Sequence, residues 1–144
     1  MNYHIRLAKK RDSEKILELL RDIFDLHKGL YPKHFKNTGS KYTLDEVIDL
    51  IDDEQITVIV YEQEKNTIAY LIGWEEGDYF FIDDLCVDKN FQHQGIGRKL
   101  IEHIKSKYKQ IRLNVWARNE KALEFYQSLG FDVLKYILEI DQDI

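Results

Sequence analysis

Hydrophobic and polar positions recur with two different periods along this chain, and the changes of period predict its strands and helices. Near the start, Tyr3, Ile5 and Leu7 occupy every second position, which predicts a strand over residues 2–8. Apolar residues then recur at the three-and-four spacing of a helix, which Asp12 is placed to cap. The apolar face of this helix comprises Ile16, Leu19, Leu20, Ile23 and Phe24.

A second helix begins at Thr43, after a stretch without periodicity. Residues 28–41 gather Gly, Pro and Asn, including Asn37, and this composition predicts an exposed loop. Thr43 and Glu46 form a capping box, in which each side chain accepts a hydrogen bond from a backbone amide of the other residue. The second helix buries Leu44, Val47, Ile48 and Ile51.

Three strand-like segments follow, over residues 56–62, 67–75 and 79–87. The short connections between them favour an antiparallel meander. From Gly95 the pattern becomes helical again, and residues 111–117 return to a strand pattern, so the helix between them predicts a parallel crossover.

The last part of the chain carries one more helix and one more strand pattern. Asn119 is placed to cap the helix, which ends at Gly130, and residues 133–140, "VLKYILEI", predict a final strand. The order β-α-α-β-β-β-α-β-α-β describes a mixed sheet with helices on its faces.

Composition limits what such a chain does. With 144 residues, 44% of them hydrophobic, and a single proline, we expect one domain over residues 1–144. The absence of a long apolar run predicts a soluble, cytoplasmic protein that does not bind membranes. Scattered basic residues and a net charge of −5 argue against nucleic-acid binding.

The lone cysteine and the histidines add little chemistry. Cys86 lies in an apolar run, so we expect a small buried core residue rather than a nucleophile. No pair of histidines has convincing metal-ligand spacing, so we expect no metal site.

Two glycines, Gly95 and Gly97, stand between a strand pattern and a helix pattern. Free amides at a helix start bind phosphate, and glycine lets a ligand approach the backbone. The dinucleotide pattern needs a third glycine where Leu100 stands, and the mononucleotide pattern needs Lys-Ser/Thr after Gly97. What remains is Gln92-x-x-Gly95-x-Gly97, which fits a pyrophosphate site or a tight turn without a ligand.

The surrounding residues carry a family resemblance. "YFFIDDLCVDKNFQHQGIGRKLIEHI" resembles the cofactor-binding core of the GNAT superfamily of N-acetyltransferases, and "LNVWARNEKALEFYQSLGF" is similar to the strand and helix that follow it there. The resemblance implies an α/β (α+β) fold, with a mixed central sheet of about six to seven strands and about four helices. Residues 29–41 lie outside the match, in a region that helps to form the acceptor site in such enzymes.

The resemblance also implies a reaction and a cofactor site. Such enzymes transfer the acetyl group of acetyl-CoA to a primary amine by direct attack, through a tetrahedral intermediate. The pantetheine arm is expected along Leu85, Cys86 and Val87, one of whose N–H groups polarises the thioester carbonyl, and at Asn119. The pyrophosphate is expected at the helix start, which comprises Gln92, His93, Gln94, Gly95, Ile96, Gly97 and Arg98.

Two side chains are candidates for proton transfer. The resemblance assigns Tyr126 as the donor to the departing CoA thiolate and a further contact to the cofactor, whereas periodicity alone describes a core aromatic. Asp83 and Asp84 are adjacent carboxylates, which alternation places on opposite faces unless a bulge intervenes. We place Asp84 ahead as base, water anchor or binder of a cationic amine, and the alternative is that one carboxylate pairs with a basic neighbour.

Rival functions remain open at the level of sequence. A non-catalytic acyl-CoA-binding or sensing module is the main alternative, and a nucleotide-phosphate-binding protein is the weaker one. The acceptor amine is not identified by the sequence, since polyamines, amino acids, amino-sugars and protein amines all remain. The final strand is apolar enough to pair with a second copy in a homodimer if it lies at an edge.

Overall fold

The computed structural model describes residues 2–36 and 39–143, so the predicted loop residue Asn37 lies outside the described residues. The element order is the predicted one up to its last member. The strands are β1 (Tyr3–Leu7), β2 (Ile56–Gln63), β3 (Asn66–Glu76), β4 (Tyr79–Val87) and β5 (Ile111–Leu113). The helices are α1 (Ser13–Leu30), α2 (Leu44–Asp52), α3 (Ile96–Lys105) and α4 (Glu120–Ser128), with 3₁₀ turns at Lys10–Asp12 and Lys89–Phe91.

The five strands form one mixed sheet in the order β1-β2-β3-β4-β5. Strands β2, β3 and β4 form the antiparallel meander that the short turns predict, and β1 adds to β2 in antiparallel orientation. β5 pairs with β4 in parallel after the crossover through α3. In this α+β architecture the carboxyl end of β4, within the sheet, leads through a short loop into the start of α3.

A buried cluster covers each face of the sheet. The cluster under α1 and α2 includes Leu20, Val47, Tyr70, Ile72 and Cys86. The cluster on the other face is contributed by α3 together with β2, β3 and β4. Tyr126 of α4 and Leu129, the residue that follows α4, pack against it while partly exposed. The central strands are therefore buried on both sides, which explains their nearly continuous apolar sequences.

Of the three helix N-caps that the sequence predicts, two are confirmed. Thr43 and Glu46 form the predicted capping box, and the Asn119 side chain accepts a hydrogen bond from the Ala122 amide at 3.2 Å. Asp12 stands at the start of α1 but does not cap it with its side chain. Its carboxylate instead binds the Arg6 guanidinium at 2.8 and 3.0 Å, a stronger, charge-assisted partner.

The predicted number of strands was wrong. The sheet of the described chain has five strands rather than six to seven, because residues 133–140 pair with no strand. The predicted strand over residues 111–117 is also shorter, since β5 ends at Leu113 where its pairing with β4 ends. The predicted loop starts later than expected, because α1 continues through Gly29 to Leu30.

None of the helices within residues 2–36 and 39–143 is long and apolar enough to cross a membrane.

Candidate active site

The site is built around the place where β4 and β5 separate. Their parallel pairing covers three residue pairs and ends at Ile82 and Leu113. Beyond this point, β4 continues to pair with β3 as far as Val87 opposite Ala69. In the described part of the chain, Leu85–Val87 therefore has a strand on one side and an open edge on the other.

The open edge of β4 presents two amides. The N–H of Asp88 donates to the Ile68 carbonyl of β3 at 2.8 Å. Because N–H groups alternate in direction along an antiparallel strand, the N–H of Cys86 also faces β3, and those of Leu85 and Val87 face the open edge. Of the three backbone N–H groups predicted to donate to the thioester carbonyl, only those of Leu85 and Val87 therefore face the open edge.

The loop after β4 places free amides beside this edge. Gly95 is the N-cap residue of α3, has a φ of +76° and provides no side-chain cap. The first intrahelical bond runs from the Lys99 amide to the Gly95 carbonyl at 3.1 Å, so the amides of Ile96, Gly97 and Arg98 precede the helical ladder. Such a helix start favours an anion.

The predicted pyrophosphate-binding side chains lie around this helix start. Gln92 donates from Nε2 to the Val87 carbonyl oxygen at 3.4 Å, which connects the loop to the open edge of β4. His93 has a φ of +65°, in the left-handed region. Gln92, His93, Gln94, Gly95 and Arg98 are exposed, and Ile96 and Gly97 are buried.

Different features of the structure explain why glycine occupies positions 95 and 97. At Gly95 an added Cβ would meet nothing within 4 Å, and the positive φ explains the glycine. At Gly97 an added Cβ would lie 2.9 Å from the Phe125 Cζ, so this glycine is explained by the close packing of α3 on α4. The expectation that the two glycines clear space for a ligand stays a prediction.

A bulge brings both acidic residues of β4 to one face of the sheet. Ile72 pairs with Asp84 and Gly73 pairs with Ile82, which leaves Asp83 without a partner on β3. Asp84 shares the face of Ile72, which is in the cluster under α1 and α2, and Asp83 contacts the residues just before α2. Simple alternation would place the two carboxylates on opposite faces, and the bulge, which the sequence analysis names as the exception, places them on the same face.

Asp83 is fully engaged with its neighbours. Its carboxylate accepts hydrogen bonds from the Tyr42 hydroxyl at 2.5 Å and from the Lys41 Nζ at 2.9 Å. Burial and this hydrogen bond raise the pKa of Tyr42. The alternative in which a carboxylate pairs with a basic neighbour therefore describes Asp83.

The carboxyl group of Asp84 has a pKa that is shifted from its ordinary value. Burial raises the pKa of Asp84 to about 6, and the negative charge of Asp83 adds to the rise while the positive charge of Lys41 opposes it. The side chain keeps a small accessible surface although protein surrounds most of it. A carboxyl group with a pKa near neutrality is suited to exchange protons with a substrate.

Sequence analysis missed Tyr70, which stands on β3 next to this carboxyl group. Its hydroxyl is completely buried and makes no hydrogen bond within the described residues. Burial and the charge of Asp84 raise the pKa of the Tyr70 phenol, so it stays protonated. A tyrosine in an otherwise apolar central strand was the available signal, since a buried phenol ordinarily has a partner.

Tyr126 lies on α4 beside the same end of β4. Its ring packs edge-on against Phe125 and Phe131, at centroid distances of 5.1 and 5.6 Å. Burial and the negative charge of Asp84 raise the pKa of Tyr126. The packed ring fits the interpretation as a core aromatic, and the role of Tyr126 as proton donor stays a prediction.

Cys86 is a buried core residue, as the sequence predicts. Its Sγ lies 3.7 Å from the Leu19 carbonyl oxygen, and burial raises the pKa of the thiol to about 12. A thiol that stays protonated at neutral pH is a poor nucleophile.

Asn119 and a group of aromatic side chains lie between the end of α1 and the start of α4. The Asn119 Nδ2 lies 3.4 Å from the His27 Nε2, while its Oδ1 caps α4. Trp116 stands between the rings of Tyr31 and Phe35, at 4.8 and 5.2 Å. The aromatic group joins the end of α1 to the segment after β5, and the role of Asn119 at the pantetheine stays a prediction.

Comparisons with known proteins find a matching domain family and similar proteins. Residues 54–133 match the acetyltransferase (GNAT) domain family. The peptidyl-lysine N-acetyltransferase YjaB of Salmonella typhimurium is 27% identical over 134 residues, which cover 92% of this chain and 86% of that protein.

Two solved structures share the fold over nearly the whole chain. A single-substitution mutant of the BH1408 protein from Bacillus halodurans superposes with a TM-score of 0.88 at 26% identity, covering 96% of this chain and 98% of the other. The PaiA N-acetyltransferase of Thermoplasma acidophilum, in complex with coenzyme A, superposes with a TM-score of 0.81 at 20% identity, covering 95% and 94%.

Proposed function

Because the chain belongs to the GNAT family of acetyl-CoA-dependent N-acetyltransferases, we propose that it acetylates lysine side chains of proteins by direct transfer at the carboxyl end of β4. The observation that carries the proposal is the open edge of β4, which lies beside the free amides of α3 and the perturbed carboxyl group of Asp84. We further infer that residues 1–144 form one acetyltransferase domain, because a single sheet supports both clusters.

The residues around the open edge fit acetyl-CoA. The amides from Gln94 to Arg98 bind the pyrophosphate, with Gln92 and the Arg98 guanidinium assisting. The amides of the pantetheine arm pair with the edge of β4 as a peptide adds to a sheet. Acetyl-CoA supplies an activated acyl group and a thiolate leaving group.

An amide on the open edge polarises the carbonyl of the thioester. The N–H groups of Leu85 and Val87 face this edge, and each is held rigidly by the pairing of its neighbours with β3. A fixed N–H donor stabilises negative charge on the carbonyl oxygen without reorganisation during the reaction.

Asp84 accepts the proton of the amine. An alkylamine has a pKa of about 10, so it reaches the site as an ammonium ion and must lose a proton before it attacks. Asp84 is ionised above its pKa of about 6, and therefore attracts the ammonium ion and takes its proton at neutral pH.

Tyr126 returns a proton to the CoA sulfur. The raised pKa of Tyr126 keeps the proton on its hydroxyl at neutral pH, which is the form that an acid requires. The aromatic rings on both sides fix the side chain. Asp84 and Tyr126 thus divide the two proton transfers between a base and an acid.

The choice of a lysine acceptor rests on the relative from Salmonella typhimurium. Its name gives peptidyl-lysine as the substrate, and the aligned region covers most of both chains. A lysine ammonium group also matches the carboxylate of Asp84 in charge. The other amine acceptors left open by the sequence become outcomes of the test.

The test uses two peptides that differ only in the position of their free amine. One peptide has a blocked N-terminus and a single lysine, and the other has a free N-terminus and norleucine in place of lysine. Thiol release from acetyl-CoA and the mass of the product are measured with each. Acetylation of the lysine peptide alone supports the proposal, and acetylation of the other peptide alone assigns the enzyme to N-terminal amines.

Thermal unfolding with CoA, acetyl-CoA and ATP tests the cofactor site independently of the acceptor. It shows whether a negative result with both peptides comes from the wrong choice of acceptor or from the wrong placement of the cofactor. Binding at 100 times the dissociation constant stabilises a protein by about 2.7 kcal/mol. Stabilisation by either CoA species but not by ATP supports the cofactor site even if neither peptide is acetylated. The absence of stabilisation by CoA and acetyl-CoA would contradict the placement of the cofactor along β4 and α3.

A further inference from the structure

The hydroxyl group of Tyr70 is the one buried side-chain polar atom in the described part of the chain that has no hydrogen-bond partner. Tyr70 lies in the middle of β3, and none of its surface is exposed. A buried hydroxyl without a partner costs stability, since it gives up its hydrogen bonds to water. Phenylalanine would fill the same space without this cost, so the tyrosine indicates a use for its hydroxyl.

The pairing of β3 with β4 places the ring of Tyr70 beside the carboxyl group of Asp84. Tyr70 pairs with Cys86, and Ile72, two residues further along β3, pairs with Asp84. Residues two apart on a strand share a face, so Tyr70 and Asp84 are diagonal neighbours on the face that α1 and α2 cover. A diagonal neighbour is within reach of an aromatic side chain. Burial and then the charge of Asp84 are the main causes of the raised pKa of Tyr70, as expected for two groups this close.

Asp84 is the best acceptor among the acidic groups near Tyr70. These groups are Asp84, Asp83 and the thiol of Cys86. The carboxylate of Asp83 already accepts hydrogen bonds from two side chains before α2. The sulfur of Cys86 is a weak acceptor. The hydroxyl of Tyr70 is therefore matched to the carboxylate of Asp84.

The ionised form of Asp84 needs such a donor. Burial disfavours the charge of this carboxylate, and Lys41 supplies the positive charge that opposes the effect of burial. The Lys41 Nζ is bonded to Asp83, however, at 2.9 Å. The other titratable groups around Asp84 in the described chain add no positive charge; they are Tyr42, Tyr70, Asp83, Cys86 and Tyr126, with Asp22 of α1 beside Cys86.

We propose that Tyr70 is a positioning residue for Asp84: its hydroxyl donates a hydrogen bond to the Asp84 carboxylate when that group ionises, and so keeps the base ready for the ammonium group of the acceptor. The proposal rests on the role of Asp84 as the base in the proposed function. A hydrogen bond to an ionised acceptor is about twice as strong as one between neutral groups, so this bond favours the carboxylate over the carboxylic acid. Because its hydroxyl is enclosed by the core, Tyr70 acts through Asp84 and touches neither acetyl-CoA nor the acceptor.

Tyr70→Phe removes this donor and keeps the shape of the ring. The pKa of Asp84 is about 6 when the tyrosine is present. It should rise in Tyr70→Phe by about one pH unit, which is the size expected for a hydrogen bond to a charged group. The variant should therefore need a higher pH to ionise its base.

The first experiment follows the carboxyl carbon of Asp84 by NMR as the pH is changed, in the full chain without acetyl-CoA or acceptor. The signal is identified by its absence in Asp84→Asn. Its titration midpoint should rise by about one pH unit in Tyr70→Phe. Tyr61→Phe is the matched control, because Tyr61 is a buried tyrosine in the cluster on the other face of the sheet, and its midpoint should equal that of the natural protein. An unchanged midpoint in Tyr70→Phe would overturn the proposal.

The second experiment measures the pH dependence of kcat/KM with the lysine peptide. The acid limb should move to higher pH by the same amount as the NMR midpoint, so Tyr70→Phe should lower kcat/KM by about fivefold at pH 6 and change it little at pH 8.5. An equal loss at every pH is the result expected of a purely structural role, and it would overturn the proposal. A shifted NMR midpoint with an unshifted acid limb would support the hydrogen bond and contradict Asp84 as the base, which separates failure of the proposed function from failure of this inference.

Urea unfolding at pH 4.5 and pH 7.5 gives a readout that needs no activity. At pH 4.5 Asp84 is mostly protonated in the folded state, so Tyr70→Phe should be at least as stable as the natural protein, because it lacks a buried hydroxyl without a partner. A raised folded pKa means that stability is lost as the pH rises through that pKa. The loss should extend to higher pH in Tyr70→Phe and make it the less stable protein at pH 7.5. A difference between the two proteins that is the same at both pH values would overturn the proposal.

Discussion

The ring of Phe125 fills the space into which a side chain at position 97 would project, since a Cβ added to Gly97 would lie 2.9 Å from the Phe125 Cζ. Gly97 lies in the first turn of α3 and Phe125 lies on α4. The close packing of α3 on α4 thus depends on the absence of a side chain at position 97. Gly95, only two residues earlier, has open space around it and a φ of +76°.

Gly97→Ala should lower the free energy of unfolding by about 1–3 kcal/mol, because the added methyl group overpacks the contact with Phe125. Phe125→Leu in the same chain should recover part of this loss, because the shorter side chain removes the collision. Urea unfolding of the single and double variants measures the coupling. Gly95→Ala is the matched control: its cost of about 1–2 kcal/mol comes from the left-handed backbone, so Phe125→Leu should not reduce it. Purely additive effects at 97 and 125 would contradict the explanation.

Asp12 should make the stability of the protein depend on pH below 4. Burial would raise the pKa of this carboxyl group, but hydrogen bonds from Arg6, Thr67 and the Lys9 amide outweigh burial and lower it to about 2. Because the folded pKa is below the ordinary value, the stabilisation is fully present above pH ~4 and is lost as the pH falls toward 2. The shift corresponds to about 2–3 kcal/mol.

Asp12→Asn should therefore weaken folding at pH 7 and flatten the loss of stability between pH 4 and pH 2. Urea unfolding at a series of pH values measures both effects. Asp49→Asn changes an exposed carboxylate on α2 and should leave the pH profile unchanged. An Asp12→Asn protein that still loses 2–3 kcal/mol between pH 4 and pH 2 would assign that loss to other groups.

The order of the elements was predictable because its signals are local. The Thr43–Glu46 box and the Asn119 cap each depend on residues within one helical turn, and the change of period marks each transition between strand and helix. The family pattern identified the end of β4 and the start of α3 as the candidate site. The roles of its individual residues stay predictions.

The remaining features depend on contacts between distant segments. The bulge at Asp83 is set by the pairing of β4 with β3, and the reason for Gly97 is a ring 28 positions away in the sequence. Residues 133–140 have the alternation of a strand, but alternation does not specify which edge the strand joins. The apolar sequence of β3 marks Tyr70 as a buried tyrosine, but its nearness to Asp84 depends on the pairing of β3 with β4.

Tyr126→Phe should lower kcat by about 10²-fold or more, since it removes the proton donor to the CoA sulfur. The dissociation constant for CoA should stay within twofold, because the ring still packs between Phe125 and Phe131. Steady-state kinetics and a CoA titration measure the two quantities. Tyr108→Phe is a matched control, because the Tyr108 hydroxyl bonds to Glu75 on the surface. An unchanged kcat for Tyr126→Phe would leave Tyr126 as a core aromatic.

Asp84 should set the acid limb of the pH dependence of kcat/KM. Below its pKa of about 6, Asp84 is protonated and cannot accept a proton, so kcat/KM should fall tenfold per pH unit below pH 6 and level off above it. In Asp84→Asn this limb should disappear, and kcat/KM at pH 7.5 should fall by about 10²–10⁴-fold. Asp83→Asn is the matched control: it changes the neighbouring carboxylate, which Tyr42 and Lys41 already occupy, and should keep an acid limb.

The same carboxyl group should lower the stability of the folded protein at neutral pH. Its folded pKa is raised above the ordinary value of 3.8, so folding disfavours the ionised form, and the natural protein should lose about 2–3 kcal/mol as the pH rises from 4 to above 6. Asp84→Asn carries no such charge and should be the more stable protein at pH 7 while being the less active enzyme. Urea unfolding at pH 4.5 and pH 7.5 tests this reversal. An Asp84→Asn variant that retains the acid limb would exclude Asp84 as the base, whatever its effect on stability.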